Sequence, residues 1–310
     1  MADPISWAES VSYVISIPFG SIFDPVGVEG LAAVLCDMTT RGAGGKTSRQ
    51  FLESFEHLGC ETSESVGLFD TWFRASVLPD NLLPSIELSA AQILRPHFDR
   101  RQLEPARQVI AQEIYSLEDD LQQRMMLELQ HNFLPYPLGR SGLGTIETID
   151  NITIDLLTKN HASLFQPNGT VFCIAGKFEI EQVQDKINDL FASWQPKQFV
   201  LPKEKIIGET AVYIPSNSEQ TYIGAVYPSV PFGAEGYMLA QCSVGILSGG
   251  TSCRLFSELR EKRGLCYSVS ASYSALRDRA AVYCYCGAST EHAQETLNVL
   301  LSELDRLRFG

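Results

Sequence analysis

The segment LSGGTSCRLFSELREKRGLCYSVSASY, Leu247–Tyr273, decides how the chain is read. The glycine pair Gly249 and Gly250 lets the backbone turn tightly. Thr251 or Ser252 is placed to cap a helix over about Cys253–Arg263. Gly264 stops that helix, and a strand begins with Leu265-Cys266-Tyr267. The first half holds an echo: GGKTSRQF at Gly44–Phe51 matches GGTSCRLF at Gly249–Phe256. From the shared phenylalanine the offsets agree, because Phe51, Glu53, Glu56 and Gly59 recur as Phe256, Glu258, Glu261 and Gly264. PFG also occurs twice, at residues 18–20 and 231–233. This is the signature of an internal duplication. It predicts an α+β chain of two similar modules, each a mixed β-sheet covered by helices on one face.

Working outward, Val11–Ile17 reads as a strand, followed by a helix over about Gly30–Thr40. Thr47 or Ser48 caps a second helix running to about His57, with Gly59 as its stop. Strands are expected over Glu61–Leu68 and Thr71–Leu78, then helices over Leu82–Leu94 and, as one long element, Pro105–Phe133. Asp155–Leu164 reads as a helix, Thr170–Ala175 as a strand and Ile180–Trp194 as a helix. QPKQFVLPKEK, Gln195–Lys205, has prolines and lysines without apolar periodicity and is the linker candidate. The boundaries read as 1–195 for the first module, 196–206 for the linker and 207–310 for the second module. In the second module strands are expected over Ala211–Ile214, Thr221–Val226, Cys266–Tyr273 and Ala280–Cys286. Helices are expected there over about Ala234–Ile246 and His292–Leu307.

Composition bounds the function. With 310 residues, 45% hydrophobic and 20% charged, the chain is an ordinary globular protein. A formal charge of -13 repels phosphate backbones, so nucleic acid is not an expected partner. No apolar run approaches the roughly 18 residues of a membrane span, and MADPISWAES has no basic region ahead of an apolar one. The eight cysteines lack C-x-x-C pairs and sit mostly in apolar patterns such as VFCIAG and AVYCYCG. They read as reduced, buried thiols, and the expected compartment is the cytoplasm.

Catalytic signatures are few. His57, His97, His131, His161 and His292 form no i, i+4 metal pair, and His57 with Cys60 straddles a helix end. There is no G-x-S-x-G elbow, P-loop or G-x-G-x-x-G. Arg260 and Tyr267 sit on the last helical turn and the first strand residues of the opening segment. An arginine fork and a phenol at such a junction suit the carbonyl oxygens of an extended peptide. A solvated basic helix end and a half-buried strand tyrosine fit the same residues.

GGTSCRLFSELREKRGLCYSV resembles the arginine/tyrosine segment in the second domain of pitrilysin/insulinase-type metallopeptidases, the inverzincins. The resemblance extends through GVEGLAAVLCDMTTRGAGGKTSRQFLESFEHLGC and RQVIAQEIYSLEDD and spans about residues 14–310. That family's zinc motif is H-x-x-E-H, two histidine ligands and a glutamate base. Set against it, GLAAVLCDMTTRGA places Ala33, Cys36 and Asp37 at the His, Glu and His positions. Glu113 matches the family's third ligand downstream. The resemblance therefore implies no resident cofactor, with zinc expected only on a partner chain.

In two-chain members of the family, the chain lacking zinc supplies the arginine/tyrosine pair that holds substrate near the partner's metal. Arg260 and Tyr267 match that pair, with Gly249 and Gly250 beside them; their first-half counterparts are Phe55 and Thr62. The implied function is a non-catalytic, substrate-binding subunit of a heterodimeric zinc endopeptidase acting on unstructured peptides. Its partner would be an H-x-x-E-H-bearing homologue. A structural subunit like the respiratory core proteins stays open, as does an orphan peptide-binding chain forming a homodimer. Members of that family begin with a strand ahead of the one at Val11 and continue well past the position of Gly310; against that pattern this chain is expected to start late, without the leading strand, and its second module to be truncated.

Overall fold

The structure, a computed structural model, describes residues 1–197, 200–205, 208 and 211–309. They form two compact units, one of residues 1–116 and 140–204, the other of 117–139 and 205–310. The second unit thus includes Leu117–Gly139, which the expected boundary at 195 assigned to the first module. Of the expected linker 196–206, Gln198, Phe199 and Ile206 lie outside the described residues, as does Ile207 at the expected start of the second module.

The first unit is built on a sheet of β1 (Ala2–Pro4), β2 (Val11–Ile17), β3 (Glu61–Val66), β4 (Thr71–Val77) and β5 (Val171–Gly176), ordered β1-β5-β2-β4-β3. The leading strand expected to be missing is present as β1, which runs parallel to β5; the other pairs are antiparallel, so the sheet is mixed. The alternation in VSYVISI sets its two faces. Val11, Tyr13, Ile15 and Ile17 are buried, while Ser12, Val14 and Ser16 point the other way. On β4 the register puts Phe73, Ala75 and Val77 on the buried face. That face is covered by α1 (Leu31–Thr40), α2 (Ser48–His57), α3 (Leu82–Leu94) and α4 (Arg100–Asp119), with α6 (Ile146–Asp150), α7 (Ile154–Leu164) and α8 (Ile180–Phe191) completing the core. In the second unit α5 (Leu121–Phe133) follows, so the expected single helix over Pro105–Phe133 is two. The break is chemical: the Asp120 carboxylate caps α5 by accepting from the amides of Gln122 and Gln123 at 3.0 Å.

Helix α1 starts without a side chain of its own to cap it, because its N-cap, Gly30, is in the left-handed region at φ 91°. The buried Asp24 supplies the cap from upstream, accepting from Gly30 N at 2.9 Å and Ala32 N at 2.8 Å. Arg140 holds the same turn by donating to the carbonyls of Ser21 and Asp24. Burial pushes the Asp24 carboxyl up to about 7, with Arg140 and the two amides pulling against it.

The second unit repeats this plan. Its sheet has β6 (Gln220–Ser229), β7 (Cys266–Leu276) and β8 (Arg279–Ser289) in the order β6-β8-β7, matching β2-β4-β3. All its described pairs are antiparallel, so the parallel pair expected in both modules occurs in the first sheet alone among the described residues. Residues 211–214, expected as a strand, have no regular structure. Helix α9 (Tyr237–Ser248) takes the place of α1 and again begins at a left-handed glycine, Gly236 at φ 87°. Helix α10 (Ala293–Phe309) takes the place of α3, each following a short 3-10 turn, Thr290–His292 and Pro79–Asn81. The repeat glycines Gly59 and Gly264 sit at φ 60° and 63°, a conformation that glycine adopts freely and other residues do not.

Helices α9 and α10 pack on the face carrying Val282, Cys284 and Cys286. The other face is shielded at β6 by α5, which brings Met125 and Leu129 against Gly224 and the Phe133 ring edge-on to Tyr283. Helices therefore meet this sheet on both faces rather than one. Central β8 is consequently buried along nearly its whole length.

Candidate functional site

The Arg260 region is built by a turn of π-helix, Phe256–Glu261, where the sequence suggested an ordinary helix. Lys262 N bonds Ser257 O at 2.9 Å, five residues back. Single π-turns inside helices are rare and recur at functional sites. Leu255 and Leu259 anchor the turn in the core. Neither Thr251 nor Ser252 makes the expected capping bond among the described residues; the Cys253 amide bonds Gly250 O instead. Gly264 N returns to Arg260 O at 3.1 Å and Leu265 N to Leu259 O at 2.9 Å, which turns the chain sharply into β7.

Arg260 is exposed, and its guanidinium lies over the Phe256 ring at 4.9 Å from the centroid. The nearby acids are otherwise engaged. Glu258 takes Lys262 Nζ at 2.6 Å and Arg263 Nη1 at 2.5 Å, contacts that pull its carboxyl down to about 2. Ser257 Oγ donates to Glu261. A simple Arg260 ion pair with Glu258 or Glu261 is therefore not formed among the described residues. Tyr267 is 53% exposed at the register shift between Cys266 and Ser268, where the strand bulges. The thiol of the intervening Cys266 is held below its ordinary pKa by its hydrogen bond with Cys286, against the effect of burial, with the Arg260 charge adding a smaller pull. Gly249 closes α9, and a side chain there would run into the Gly245 carbonyl. Gly250 is exposed with open space around it.

The four positions aligned with the zinc motif fall together on α1 and α4. Ala33 and Cys36 are buried, Asp37 is partly exposed and Glu113 is exposed. Asp37 is committed to an ion pair with Arg41, one helical turn on. A third acid, Glu64 on β3, belongs to this cluster and sequence reading missed it. It accepts from Gln92 Nε2 at 2.8 Å, and burial raises its carboxyl pKa, with Asp37 adding to the effect. The missed signal was parity: Glu64 lies on the helix-facing side of β3 with Thr62 and Val66, an unusual place for a carboxylate. Burial pushes the Cys36 thiol well up, reinforced by the charges of Glu64, Asp37 and Glu113.

Zinc does not fit this donor set. Alanine has no donor atom, the imidazoles are replaced, and a thiol kept protonated by burial and three acids is a poor ligand. Among the described residues no three His, Cys, Asp or Glu side chains are arranged to hold a metal ion. After dialysis the purified chain is expected to carry well under one zinc per molecule; stoichiometric metal held by Asp37 and Glu113 would overturn this. Ellman's reagent should separate the thiols. Cys242 is exposed and should react within the mixing phase, whereas buried Cys36 and Cys284, the latter pushed up to about 11 by burial, should react only on unfolding.

No helix among the described residues is long and apolar enough to cross a membrane. Residues 5–146 match the profile described as insulinase (peptidase family M16), and residues 151–309 match that of the peptidase M16 inactive domain. An uncharacterized zinc protease of Rickettsia bellii is 28% identical over 301 residues, covering 96% of this chain and 72% of its own. One from Bacillus subtilis is 25% identical over 304 residues, with 96% and 74% covered. Among solved structures, a peptidase M16 inactive domain from Pseudomonas fluorescens superposes with a TM-score of 0.87 at 19% identity, covering 98% of this chain and 76% of that one. Pitrilysin gives 0.76 at 17% identity over 99% of this chain and 35% of its own. The repeated sheet-and-helix plan agrees with these likenesses, and the inactive-domain profile spans the segment that carries Arg260 and Tyr267. The chain belongs to the M16, or insulinase, family of peptidases.

Proposed function

We propose that this chain is a non-catalytic subunit of a heterodimeric M16 peptidase, holding unstructured peptides for a homologous partner that bears the H-x-x-E-H motif. The observation that carries the reading is Arg260: exposed, stacked on Phe256, and paired with no carboxylate among the described residues. A cation kept out of salt bridges and braced against a ring is preorganised to donate its planar fork to something outside the chain. Tyr267, exposed at the bulge where the chain turns into β7, adds a phenolic donor. The zinc-motif positions Ala33, Cys36 and Asp37 support the other half of the reading, since they supply neither two imidazoles nor a general base.

In this reading Arg260 and Tyr267 donate to main-chain carbonyls of an extended peptide, fixing its direction and register. The chain itself performs no bond cleavage. The test is to mix it with an H-x-x-E-H-bearing homologue from the same source and assay an internally quenched, unstructured peptide. Cleavage by the mixture well above the homologue alone is expected. Equal rates, with a complex demonstrably formed, would leave a structural subunit as the better description.

A further inference from the structure

A slip in the pairing of β7 with β8 brings two cysteines together. Cys266 lies opposite Ala288, then Ser268 opposite Gly287 and Val269 opposite Cys286, so β7 uses one residue more than β8 over this stretch. The extra residue is Tyr267, the bulge. Parity shows what the bulge changes. Ser268 faces the side of Tyr285, with which it shares a hydrogen bond at 3.0 Å. Val269 and Ala271 face the helices, on the same side as their partners Cys286 and Cys284. In an unbroken strand Cys266 would share the side of Ser268. The bulge turns it instead to the helix-facing side, where its thiol meets that of Cys286 in a hydrogen bond inside one buried cluster.

The two thiols are unequal. Cys286 is wholly buried, whereas Cys266 keeps 8% of its surface exposed beside the exposed Tyr267. Cys286 donates the hydrogen bond and Cys266 accepts it, which favours the thiolate at Cys266 and holds the proton on Cys286. A thiolate at the edge of the core with a protonated thiol behind it is the pairing that stepwise thiol oxidation uses, one sulfur attacking the oxidant and the other resolving the product. Both are free thiols here.

We propose that Cys266 and Cys286 are a peroxide-oxidisable pair, closing a disulfide that clamps the bulge and keeps Tyr267 turned outward. The Cys266 thiolate attacks hydrogen peroxide: an S–O bond forms, the O–O bond breaks, and hydroxide leaves. Cys266 is then a sulfenic acid, and Cys286 no longer has a thiolate to hold its proton in place. The Cys286 sulfur attacks the sulfenic sulfur, and its proton departs with the hydroxyl as water. In sum, two thiols and one peroxide give one disulfide and two waters. Thiol reductants reopen the bond by exchange. Sliding β7 by one residue to erase the bulge would send Cys266 to the opposite face, and a covalent link to Cys286 forbids that slide. The pair stands apart from the peptide-holding reading, and either can fail alone.

The test treats the full chain, carrying Cys242→Ser to remove the exposed thiol, with a slight excess of hydrogen peroxide. Intact mass should fall by two hydrogens. In a tryptic digest without reductant, the peptide of residues 264–277 should be joined to that of residues 280–306, and dithiothreitol should part them. The second peptide also holds Cys284, so Cys284→Ser should leave the link in place. Cys286→Ser should stop at a Cys266 sulfenic acid, trapped by dimedone, and Cys266→Ser should give neither product. The mapping itself needs no change at either cysteine, so it decides the matter even where a serine variant fails to fold. Hydrogen exchange across the bulge should slow by about tenfold in the oxidised chain, because opening there must now keep the link. The proposal is overturned if peroxide leaves residues 264–277 unlinked in the folded chain, or if the link runs to Cys284. A link formed with exchange at the bulge unchanged overturns the clamp, and with it the hold on Tyr267.

Discussion

Replacing Arg260 by alanine is expected to lower peptide cleavage by the mixed complex by about 10²–10³-fold, the usual effect of losing one preorganised donor at a reacting carbonyl. Complex formation should be unaffected, because the side chain is exposed and joins no ion pair with its neighbours Glu258 and Glu261. Tyr267→Phe removes a single hydroxyl from an exposed ring and should cut the rate without touching stability. Arg260→Lys should not rescue cleavage, since an ammonium cannot reproduce the planar fork or its stacking on Phe256. The measurement is the steady-state rate on a fluorogenic peptide at matched complex concentration. If all three variants cleave at the wild-type rate, Arg260 and Tyr267 are ordinary surface residues and the gripping role is abandoned.

Asp24→Ala is expected to destabilise the first unit by about 3 kcal/mol, because two short hydrogen bonds are lost and two amides at the start of α1 are left buried without acceptors. Gly30 cannot compensate, having no side chain and a left-handed backbone. Urea unfolding followed by far-UV circular dichroism reports the change as a lower midpoint at unchanged slope. A loss below about half a kcal/mol would remove the capping role. The same residue carries a pH signature. Its carboxyl is raised from 3.8 to about 7 in the fold, so the folded state holds the proton more tightly than the unfolded chain does. Its contribution to stability is therefore fully present below about pH 4 and is lost as pH rises through about 7. Asp24→Asn should flatten this part of the profile; an unchanged slope between pH 4 and 7 would show that other groups set it.

The duplication was legible because both copies keep residues that the backbone demands. Gly59 and Gly264 end helices in the left-handed region, and Phe51 is sealed in the core. Strand β2 and helix α3 were readable to the residue, since VSYVISI alternates cleanly and Leu82–Leu94 carries one apolar face. The break at Asp120 was overlooked, although an aspartate ahead of LQQ is a capping signal, because apolar periodicity continues across it. Strand β1 has only the residues Ala2–Pro4, too short for any alternation to show. The π-turn left no trace at all: LFSELRE reads as α-helix, and the extra residue is absorbed by how Gly264 and Leu265 fold back.

At the degenerate site, spacing placed Ala33, Cys36, Asp37 and Glu113, and the structure brings these α1 and α4 positions to one place. Glu64 and Gln92 were invisible to spacing because they arrive from β3 and α3, elements that the aligned motif does not include.

The second unit's discontinuity also governs the order in which the protein can be completed. Helix α5 is synthesised long before the sheet it shields, whose last strand ends at Ser289. At roughly 5–20 residues per second, the ribosome leaves Met125, Leu129 and Phe133 without their partners for a time on the order of ten seconds. When α5 is complete the first unit has four of its five strands, but every strand of the second unit's sheet is still to be made. A nascent chain in that interval presents an unsatisfied apolar helix to the cell, and the yield of folded protein is set by whatever protects α5 until β6 and β8 emerge.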